Sequence, residues 1–328
     1  MNEAPGREAI AVQDLVRKFG RVTAVDGVTF SVGAGEIFGF LGPNGAGKTT
    51  TMRILATLDT PTAGSARVAG YDVTRAAQDV RRSIGIVFQD STLDIRLSAA
   101  ENLFFHGMVY GVTGAALRAR SDEVLAMVDL SDRRRDMVAT FSGGMRRRLE
   151  IARGLLHAPR VLFLDEPTVG LDPQTRRSIW EYVRQLPSQE GTTVFMTTHY
   201  MDEAEFCDRI AVIDHGRIVA MGSPAELKRQ VGGDVITLAA DDPDALLQSI
   251  RTEFGIEATR TPDGLTLDVP DGGIFLTELL GRLRGRVRSV GLRQPTLDDV
   301  FLHFTGRQIR DEPLDAQAVA RANMRRMV

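Results

Sequence analysis

The chain has 328 residues, of which 43% are hydrophobic and 25% are charged, a composition typical of a globular protein with about two domains. Its formal net charge of −3 provides no overall basic field, so nucleic acid is not expected as a partner. Because Cys207 is the only cysteine, an intrachain disulfide and a cysteine-rich zinc site are excluded, and this thiol is expected to be a small buried side chain.

The first two thirds of the chain alternate between strand-like and helix-like segments. Residues 9–40 contain β-branched and aromatic runs separated by glycine turns, which predict strands, and a glycine loop then leads into a helix. A short hairpin is predicted near 61–73. Residues 98–157 change to helical periodicity, which predicts a helical insert. After the insert, apolar strands alternate with helices up to about residue 222, and this order predicts an α/β fold with a largely parallel sheet.

The last third has a different order of predicted elements. Residues 223–233 read as a helix with a serine N-cap, an early proline and terminal glycines, which closes the preceding region. Residues 234–306 then predict a small α+β accessory domain, with a βαββαβ order like that of ferredoxins and one added helix. Residues 307–328 show no clear pattern, which predicts a tail.

The junction between strand and helix around Lys48 matches G-x-x-x-x-G-K-[ST], the P-loop pattern. Its glycines allow successive backbone N–H groups to face one anion, and the dipole of the following helix adds to that field. We expect Lys48 to reach the β- and γ-phosphates of a nucleotide and the Thr49 hydroxyl to coordinate Mg²⁺. An ordinary glycine turn would fit the pattern alone, but the flanking strand and helix favour phosphate binding. The predicted nucleotide-binding residues of this loop are Gly42, Pro43, Asn44, Gly45, Ala46, Gly47, Lys48, Thr49 and Thr50.

A second motif places two carboxylates at the end of an apolar strand, Asp165 and Glu166. Successive side chains of a strand point in opposite directions, so the two acids can take different roles. Asp165 is predicted to hold Mg²⁺, and Glu166 is predicted to act as the general base on the attacking water. An isolated acidic pair could equally be a solvated strand end, but its combination with the P-loop favours catalysis.

Between these motifs lies the sequence Phe141-Ser-Gly-Gly-Met145, which resembles the Leu-Ser-Gly-Gly-Gln signature of ABC transporter ATPases. With the P-loop and the acidic strand end in this order, the chain resembles that family over residues 8–230, with the helical insert at about 90–157. The resemblance implies a P-loop NTPase fold with a β-rich N-terminal part, and ATP and Mg²⁺ as cofactor and metal. It also implies a dimer in which the signature of one subunit contacts ATP bound to the other.

The resemblance assigns roles to further residues. Phe19 occupies the position of the aromatic residue that stacks on adenine, and Gln89 that of the glutamine that contacts Mg²⁺ or water and couples to the membrane partner. His199 corresponds to the switch histidine that contacts the γ-phosphate and, with Glu166 and Lys48, completes the predicted catalytic set. The signature residues predicted to bind phosphate are Ser142, Gly143 and Gly144. Considered individually, each of these residues also has an ordinary structural interpretation, so the prediction depends on their joint order.

The signature departs from the family pattern at two positions. Met145 replaces the usual glutamine and cannot make the hydrogen bonds of an amide, and Phe141 replaces the usual leucine. The following residues, Arg146, Arg147 and Arg148, could form an anion-binding patch. Since arginine greatly outnumbers lysine throughout this chain, a solvated helix face is the favoured interpretation of that triplet.

A narrower resemblance rests on residues 142–156 and 294–306, which are similar to the daunorubicin-resistance type of exporter ATPase. This implies a peripheral ATPase at the cytoplasmic face of the membrane that powers export of a drug or lipid-like substrate through a separate multi-spanning permease. The absence of any run of about 18 apolar residues, and of a signal-peptide stretch at the start, agrees with a separate permease. It also implies a regulatory or dimer-stabilising role for residues 234–306.

Two alternatives belong to other classes of protein. A soluble ABC ATPase acting on ribosomes or DNA would normally carry a second ATPase unit or a long coiled coil, and neither is recognisable in the sequence. A nucleotide-binding regulator without hydrolysis is disfavoured because Lys48, Asp165, Glu166 and His199 are all present.

Overall fold

A computed structural model describes residues 8–261, 264–283 and 287–306, and the predicted tail at 307–328 lies outside these ranges. The N-terminal part forms an antiparallel sheet in which two long strands pair along their whole length. Its strands, in the order β2-β1-β4-β5, are β1 (Glu8–Phe19), β2 (Val22–Gly33), β4 (Ala63–Val68) and β5 (Tyr71–Asp72). The last two strands form the hairpin predicted near 61–73.

A six-stranded sheet forms the centre of the molecule, with the order β10-β9-β3-β8-β7-β6. Its strands are β3 (Ile37–Leu41), β6 (Ile84–Val87), β7 (Val161–Asp165), β8 (Thr193–Thr198), β9 (Arg209–Asp214) and β10 (Arg217–Gly222). All neighbouring strands pair in parallel except β10 with β9, which confirms the predicted α/β fold with a largely parallel sheet. The carboxyl ends of β3, β7 and β8 therefore meet at one edge of the sheet, where ligands of such folds bind.

Apolar packing joins the two sheets. Phe30 of β2 lies against Phe38 and Phe195 of the central sheet, with ring centroids 5.5 and 6.0 Å apart. Such aromatic pairs stabilise a core beyond the burial of their area. Cys207 is buried beside β3, where a Cβ on Gly39 would lie 2.8 Å from its sulfur, and burial raises the pKa of its thiol. The prediction that this cysteine is a small buried side chain is confirmed.

Helices cover the central sheet and form the insert. The helices of the ATPase region outside the insert are α1 (Lys48–Leu55), α2 (Ala77–Ser83), α6 (Pro173–Glu190), α7 (Met201–Ala204) and α8 (Pro224–Val231). Those of the insert are α3 (Ala99–Val109), α4 (Gly114–Met127) and α5 (Gly143–Leu155), as the helical periodicity predicted. Among the residues that the structure describes, no helix combines the length and the apolar character needed to cross a membrane.

The C-terminal region is a separate antiparallel sheet with the strand order β12-β13-β11-β14. Its elements are β11 (Asp234–Ala239), α9 (Pro243–Phe254), β12 (Thr259–Thr261), β13 (Gly264–Val269), α10 (Gly272–Arg282), β14 (Ser289–Arg293) and α11 (Leu297–Thr305). This connectivity and strand order are those of a ferredoxin-like unit with one added helix. The added helix α11 packs on α8, and its Val300 and Phe301 share the apolar core of the ATPase region. The interval 234–306 therefore contributes to two cores, which the sequence pattern did not indicate.

Candidate functional site

The loop after β3 adopts a backbone conformation that requires its glycines. Gly45 and Gly47 have φ values of +79° and +106°, a region that side chains other than glycine rarely adopt. Gly42 is required for a steric reason, because a Cβ there would lie 2.3 Å from the carbonyl oxygen of Ile213. Helix α1 begins directly after this turn at Lys48, so its first N–H groups face the loop.

Three predicted catalytic groups meet at one carboxylate oxygen. The Lys48 ammonium lies 3.2 Å from Oε1 of Glu166, and the same oxygen lies 3.2 Å from Nδ1 of His199. Lys48 and Glu166 are 4% and 8% exposed, so this is a buried ion pair. Lys48 also donates to the carbonyl oxygens of Gly42 and Pro43, at 2.8 and 3.1 Å, which fixes its ammonium at the mouth of the loop.

A second group of contacts surrounds Asp165 at the end of β7. The hydroxyl of Thr49 donates to Oδ1 of Asp165 at 3.2 Å, and the hydroxyl of Thr197 donates to the same oxygen at 2.5 Å. Thr197 also accepts a hydrogen bond from the backbone N–H of Glu166 at 3.1 Å. Two of the three predicted metal ligands, Thr49 and Asp165, are therefore adjacent, and Thr197 connects them to the predicted base.

Burial and charge set the protonation of this cluster. Burial raises the pKa of Glu166, but the hydrogen bond with His199 and the charge of Lys48 outweigh it, so the net pKa lies below its ordinary value. Burial lowers the pKa of the Lys48 ammonium, although the charge of Glu166 opposes this shift. Burial also raises the pKa of Asp165, against the hydrogen bonds from Thr197 and Thr49. An ionised Glu166 is the form that a general base requires.

Several predicted site residues lie apart from this cluster. Gln89 follows β6 as an exposed residue, and no hydrogen bond or ion pair of the described residues joins its side chain to the cluster. Phe19 ends β1 and is 44% exposed, with the Arg17 guanidinium 4.5 Å from the centre of its ring. Ser142 is the N-cap of α5 and accepts from the backbone N–H of Met145 at 3.2 Å.

The two signature glycines differ in their surroundings. Gly143 is exposed, and a Cβ there would meet only the Leu171 side chain at 3.5 Å, an ordinary contact distance. Gly144 is buried, and a Cβ there would lie 2.3 Å from a carbon of Thr175. Met145 packs against the apolar core, so its replacement of the usual glutamine substitutes packing for hydrogen bonding.

The prediction of a solvated face for the arginine triplet is wrong for Arg147. Its side chain is buried and donates to the backbone carbonyls of Asp165, Glu166 and Pro167. Arg146 and Arg148 are partly exposed, as expected of an outer helix face. The genomic preference for arginine concealed the signal, because nothing in the triplet distinguishes its middle member.

Sequence reasoning also missed Thr197, although a signal was present. Thr197 and Thr198 end β8 as fully buried polar residues that follow an apolar run in the same strand. Buried polar groups are nearly always hydrogen-bonded, so a polar pair at the strand end beside His199 indicates a site. Thr198 donates to a carboxylate oxygen of Glu203 at 2.5 Å, and Thr168 donates to the other oxygen. These contacts hold the segments after β7 and β8 together.

Comparison with known proteins agrees with this geometry. Residues 25–169 match the family described as "ABC transporter", and residues 222–305 match the family described as "ATP-binding protein DrrA1-3-like, C-terminal domain". The chain is 43% identical over 326 residues to the daunorubicin/doxorubicin resistance ATP-binding protein DrrA of Streptomyces peucetius, which covers 97% of this chain and 98% of that protein. It is 39% identical to the linearmycin resistance ATP-binding protein LnrL of Bacillus subtilis, with 92% of this chain and 100% of that protein covered.

Solved structures show the same relationship. An ATP-binding subunit of an ABC transporter has a TM-score of 0.61 and 29% identity, over 68% of this chain and 92% of that chain. A dimeric ATP-binding cassette in a post-hydrolysis state, bound to ADP and Pi, has a TM-score of 0.59 and 29% identity, over 65% of this chain and 98% of that chain. These relatives favour a transporter subunit over an ATPase acting on ribosomes or nucleic acid. The chain belongs to the ATP-binding subunits of ABC transporters, in the group of the daunorubicin-resistance proteins, and it binds and hydrolyses ATP.

Proposed function

We propose that two copies of the chain bind Mg·ATP between the P-loop of one copy and the signature segment of the other. The observation that carries the catalytic half of this proposal is the buried cluster at the carboxyl ends of β7 and β8, where Lys48 and His199 both contact one carboxylate oxygen of Glu166. The dimeric ABC cassette among the structural relatives supports the two-copy arrangement. The nucleotide phosphates would compete with Glu166 for Lys48, which frees the carboxylate to accept a proton from water.

The donor set beside the P-loop fits Mg²⁺. Thr49 and Asp165 present a hydroxyl and a carboxylate 3.2 Å apart, and hard oxygen ligands of this kind suit Mg²⁺, which usually completes its shell with phosphates and water. Gln89 is proposed to reach the same ion or its water from the adjacent strand end. Bound Mg²⁺ would neutralise charge on the transferring phosphoryl group. His199 would steady the γ-phosphate while Glu166 takes the proton of the attacking water.

The remaining predicted residues would bind the outer parts of the nucleotide. Phe19 offers an exposed aromatic ring for stacking on adenine, with Arg17 close to its ring. Ser142 and Gly143 present the start of α5 to solvent, a geometry that attracts an anion carried by a second copy.

An exposed apolar face supports a membrane protein as the second partner. Phe104, Phe105, Met108 and Val109 of α3 are each roughly half exposed or more, and they recur along one side of that helix. Such a face is typical of a protein contact site. We propose that it docks a separate permease at the cytoplasmic face of the membrane. Residues 234–306 would act as a regulatory or dimer-stabilising domain.

The relatives suggest the direction of transport. One relative is named for daunorubicin and doxorubicin resistance, one for linearmycin resistance, and one for Nod factor export. We therefore propose export of an amphipathic small molecule, drug-like or lipid-like, through the permease.

Affinity purification from membranes tests the partner. The wild-type chain should recover a multi-spanning protein, whereas a variant with Phe105→Ser and Val109→Ser should lose it and keep its basal ATPase rate. Ser178→Ala, on the exposed face of α6, serves as the control substitution. Recovery of ribosomes instead of a membrane protein would contradict the transport proposal.

A further inference from the structure

Arg147 of helix α5 occupies a buried position between three functional segments. Its Nε donates to the carbonyl oxygen of Pro167 at 2.6 Å, and one terminal nitrogen donates to those of Asp165 and Glu166 at 3.0 and 3.3 Å. The other terminal nitrogen donates to the carbonyl oxygen of Phe88 and to the carboxylate of Glu150. The guanidinium thus contacts the catalytic strand end and the residue before Gln89 at the same time.

All five N–H groups of the guanidinium have an acceptor. An arginine side chain carries five N–H donors, and Arg147 makes five hydrogen bonds while only 6% of the residue is exposed. Lysine has three donors and glutamine two, so neither residue could satisfy the same set. The complete match indicates a position that selects arginine for its shape, not only for its charge.

Glu150 connects Arg147 to Thr92, which lies three residues after Gln89 in the chain. Its Oε2 lies 3.0 Å from Arg147, and its Oε1 accepts from the backbone N–H of Thr92 at 3.0 Å. Arg153, one helical turn on, donates to the carbonyl oxygen of Thr92 at 2.8 Å. The segment from Phe88 to Thr92, which carries Gln89, is therefore held at both ends by one face of α5.

The backbone of Glu166 needs outside support. Its φ is +44°, in the left-handed region that a glutamate rarely adopts, and such strained conformations persist only where their surroundings hold them. The carbonyls of residues 165, 166 and 167 all point at one guanidinium, and that convergence provides the support. Together with the hydrogen bond from the Glu166 N–H to the Thr197 hydroxyl, it fixes the backbone from which the Glu166 carboxylate reaches Lys48 and His199.

We propose that the Arg147–Glu150 pair is a positioning unit, which aligns Glu166 for hydrolysis and ties its position to the Gln89 segment and to the signature helix. Arg147 does not touch the reacting atoms and acts through Glu166. The inference rests on the proposed role of Glu166 as the base. A buried ion pair is not by itself evidence of stabilisation, so a positioning role accounts better for its place than fold stability does.

Steady-state ATPase kinetics of the purified chain test the proposal. In Arg147→Gln we expect kcat to fall by roughly tenfold to a hundredfold, because small displacements of a catalytic group have effects of that size. KM for ATP should change less than about twofold, since the P-loop contacts are retained. Arg147→Lys should recover part of kcat. Arg148→Gln, the neighbour whose guanidinium donates to the carbonyl oxygen of Val128 in the insert, is the matched control and should hydrolyse ATP at the wild-type rate.

Two measurements separate positioning from folding. The pair variant Arg147→Gln/Glu150→Gln removes both charges of the ion pair together, so it keeps the test valid if the single variant does not fold. The backbone amides of residues 88–92, that of Thr92 in particular, should exchange hydrogen faster in both variants and at the wild-type rate in Arg148→Gln. In a Glu166→Gln background, adding Arg147→Gln should change the residual single-turnover rate by less than about twofold, because Arg147 acts through the missing base.

Two results would overturn the proposal while the role of Glu166 stands. One is a kcat in the Arg147 variants equal to that of Arg148→Gln, and the other is an additive loss of rate in the Glu166→Gln background. A normal rate in Glu166→Gln alone is a different failure, since it removes the base and with it the group that Arg147 is proposed to position.

Discussion

The P-loop and the signature segment are both helix starts that we propose to bind phosphate, yet the chain surrounds them differently. Lys48 at the start of α1 is enclosed by carbonyls of its own loop and by Glu166 of β7, whereas Ser142 and Gly143 at the start of α5 face solvent. Both helices have the dipole and the free N–H groups that attract phosphate. Only the first lies beside groups that can perform chemistry.

This difference supports our proposal that one chain encodes two half-sites. The P-loop half brings its own catalytic groups together through β7 and β8, so it is assembled before any partner arrives. The proposed signature half presents donors outward, so we expect the phosphate that it binds to come from a second copy of the chain. We therefore expect substitutions in the first half to affect binding or chemistry within one subunit, and substitutions in the second half to affect pairing.

The largest effect is expected for Glu166→Gln. Replacing the carboxylate with an amide removes the proton acceptor but keeps the shape, so kcat should fall by about 100- to 10,000-fold while ATP still binds. Single-turnover hydrolysis and equilibrium binding with a fluorescent ATP analogue measure the two quantities. Near-normal turnover would remove Glu166 as the base.

A large effect on binding is expected for Lys48→Ala. The ammonium is the charged donor of the P-loop, and loss of a hydrogen bond from a charged group should weaken ATP binding about 10- to 100-fold. Calorimetry on the purified chain gives the affinity, and Lys228→Ala, which removes the α8 partner of an ion pair with Glu205, is the control. Unchanged affinity would contradict the assignment of the loop.

The two signature glycines provide the sharpest test of the comparison. In Gly143→Ala the added methyl group has room within the chain but stands where a partner's phosphate would approach, so turnover should fall about tenfold or more at unchanged ATP affinity. In Gly144→Ala the methyl group would overlap Thr175, so the free energy of unfolding should fall by roughly 1–3 kcal/mol.

Ultracentrifugation in the Glu166→Gln background should show an ATP-dependent dimer that Gly143→Ala abolishes. An intact dimer would mean that the phosphate does not approach Gly143.

The smallest effect concerns acid stability of the insert that carries the signature. Burial, with the charge of Arg153 adding to it, lowers the pKa of His106 on α3 to about 4. The folded chain therefore favours neutral imidazole, and this stability is present above the ordinary value of about 6.5 and is lost as the pH falls towards 4. The loss at pH 5 should be roughly 1 kcal/mol, since the ring is partly exposed.

His106→Phe keeps a ring that cannot take up a proton, so its unfolding midpoint should fall less between pH 7 and pH 5 than that of the wild type. Glu166 should contribute little to the loss between pH 7 and pH 5, because a carboxyl with a lowered pKa loses its stabilisation only as the pH falls below its ordinary value of about 4.5. Identical pH dependence in both proteins would show that His106 does not limit acid stability.

Much of the site could be predicted from short segments of sequence. The glycine spacing before Lys48, the acidic pair after an apolar strand and the serine-glycine start of α5 each act through backbone geometry within a few residues, so their chemistry is local. Their order along the chain then indicated the family. The alternation of strands and helices likewise determined the parallel sheet, since a crossover of that kind has few alternatives.

The tertiary structure alone decided which polar residues join that site. Arg147 is indistinguishable from Arg146 and Arg148 in the sequence, and its partners lie 18 to 20 residues along the chain at the catalytic strand end and 59 residues away at Phe88. The same holds for α11, whose apolar face packs on α8 although all strands of the C-terminal sheet lie between the two helices in the sequence. Burial depends on which surfaces meet in space, and contacts between distant segments leave no periodic trace in either one.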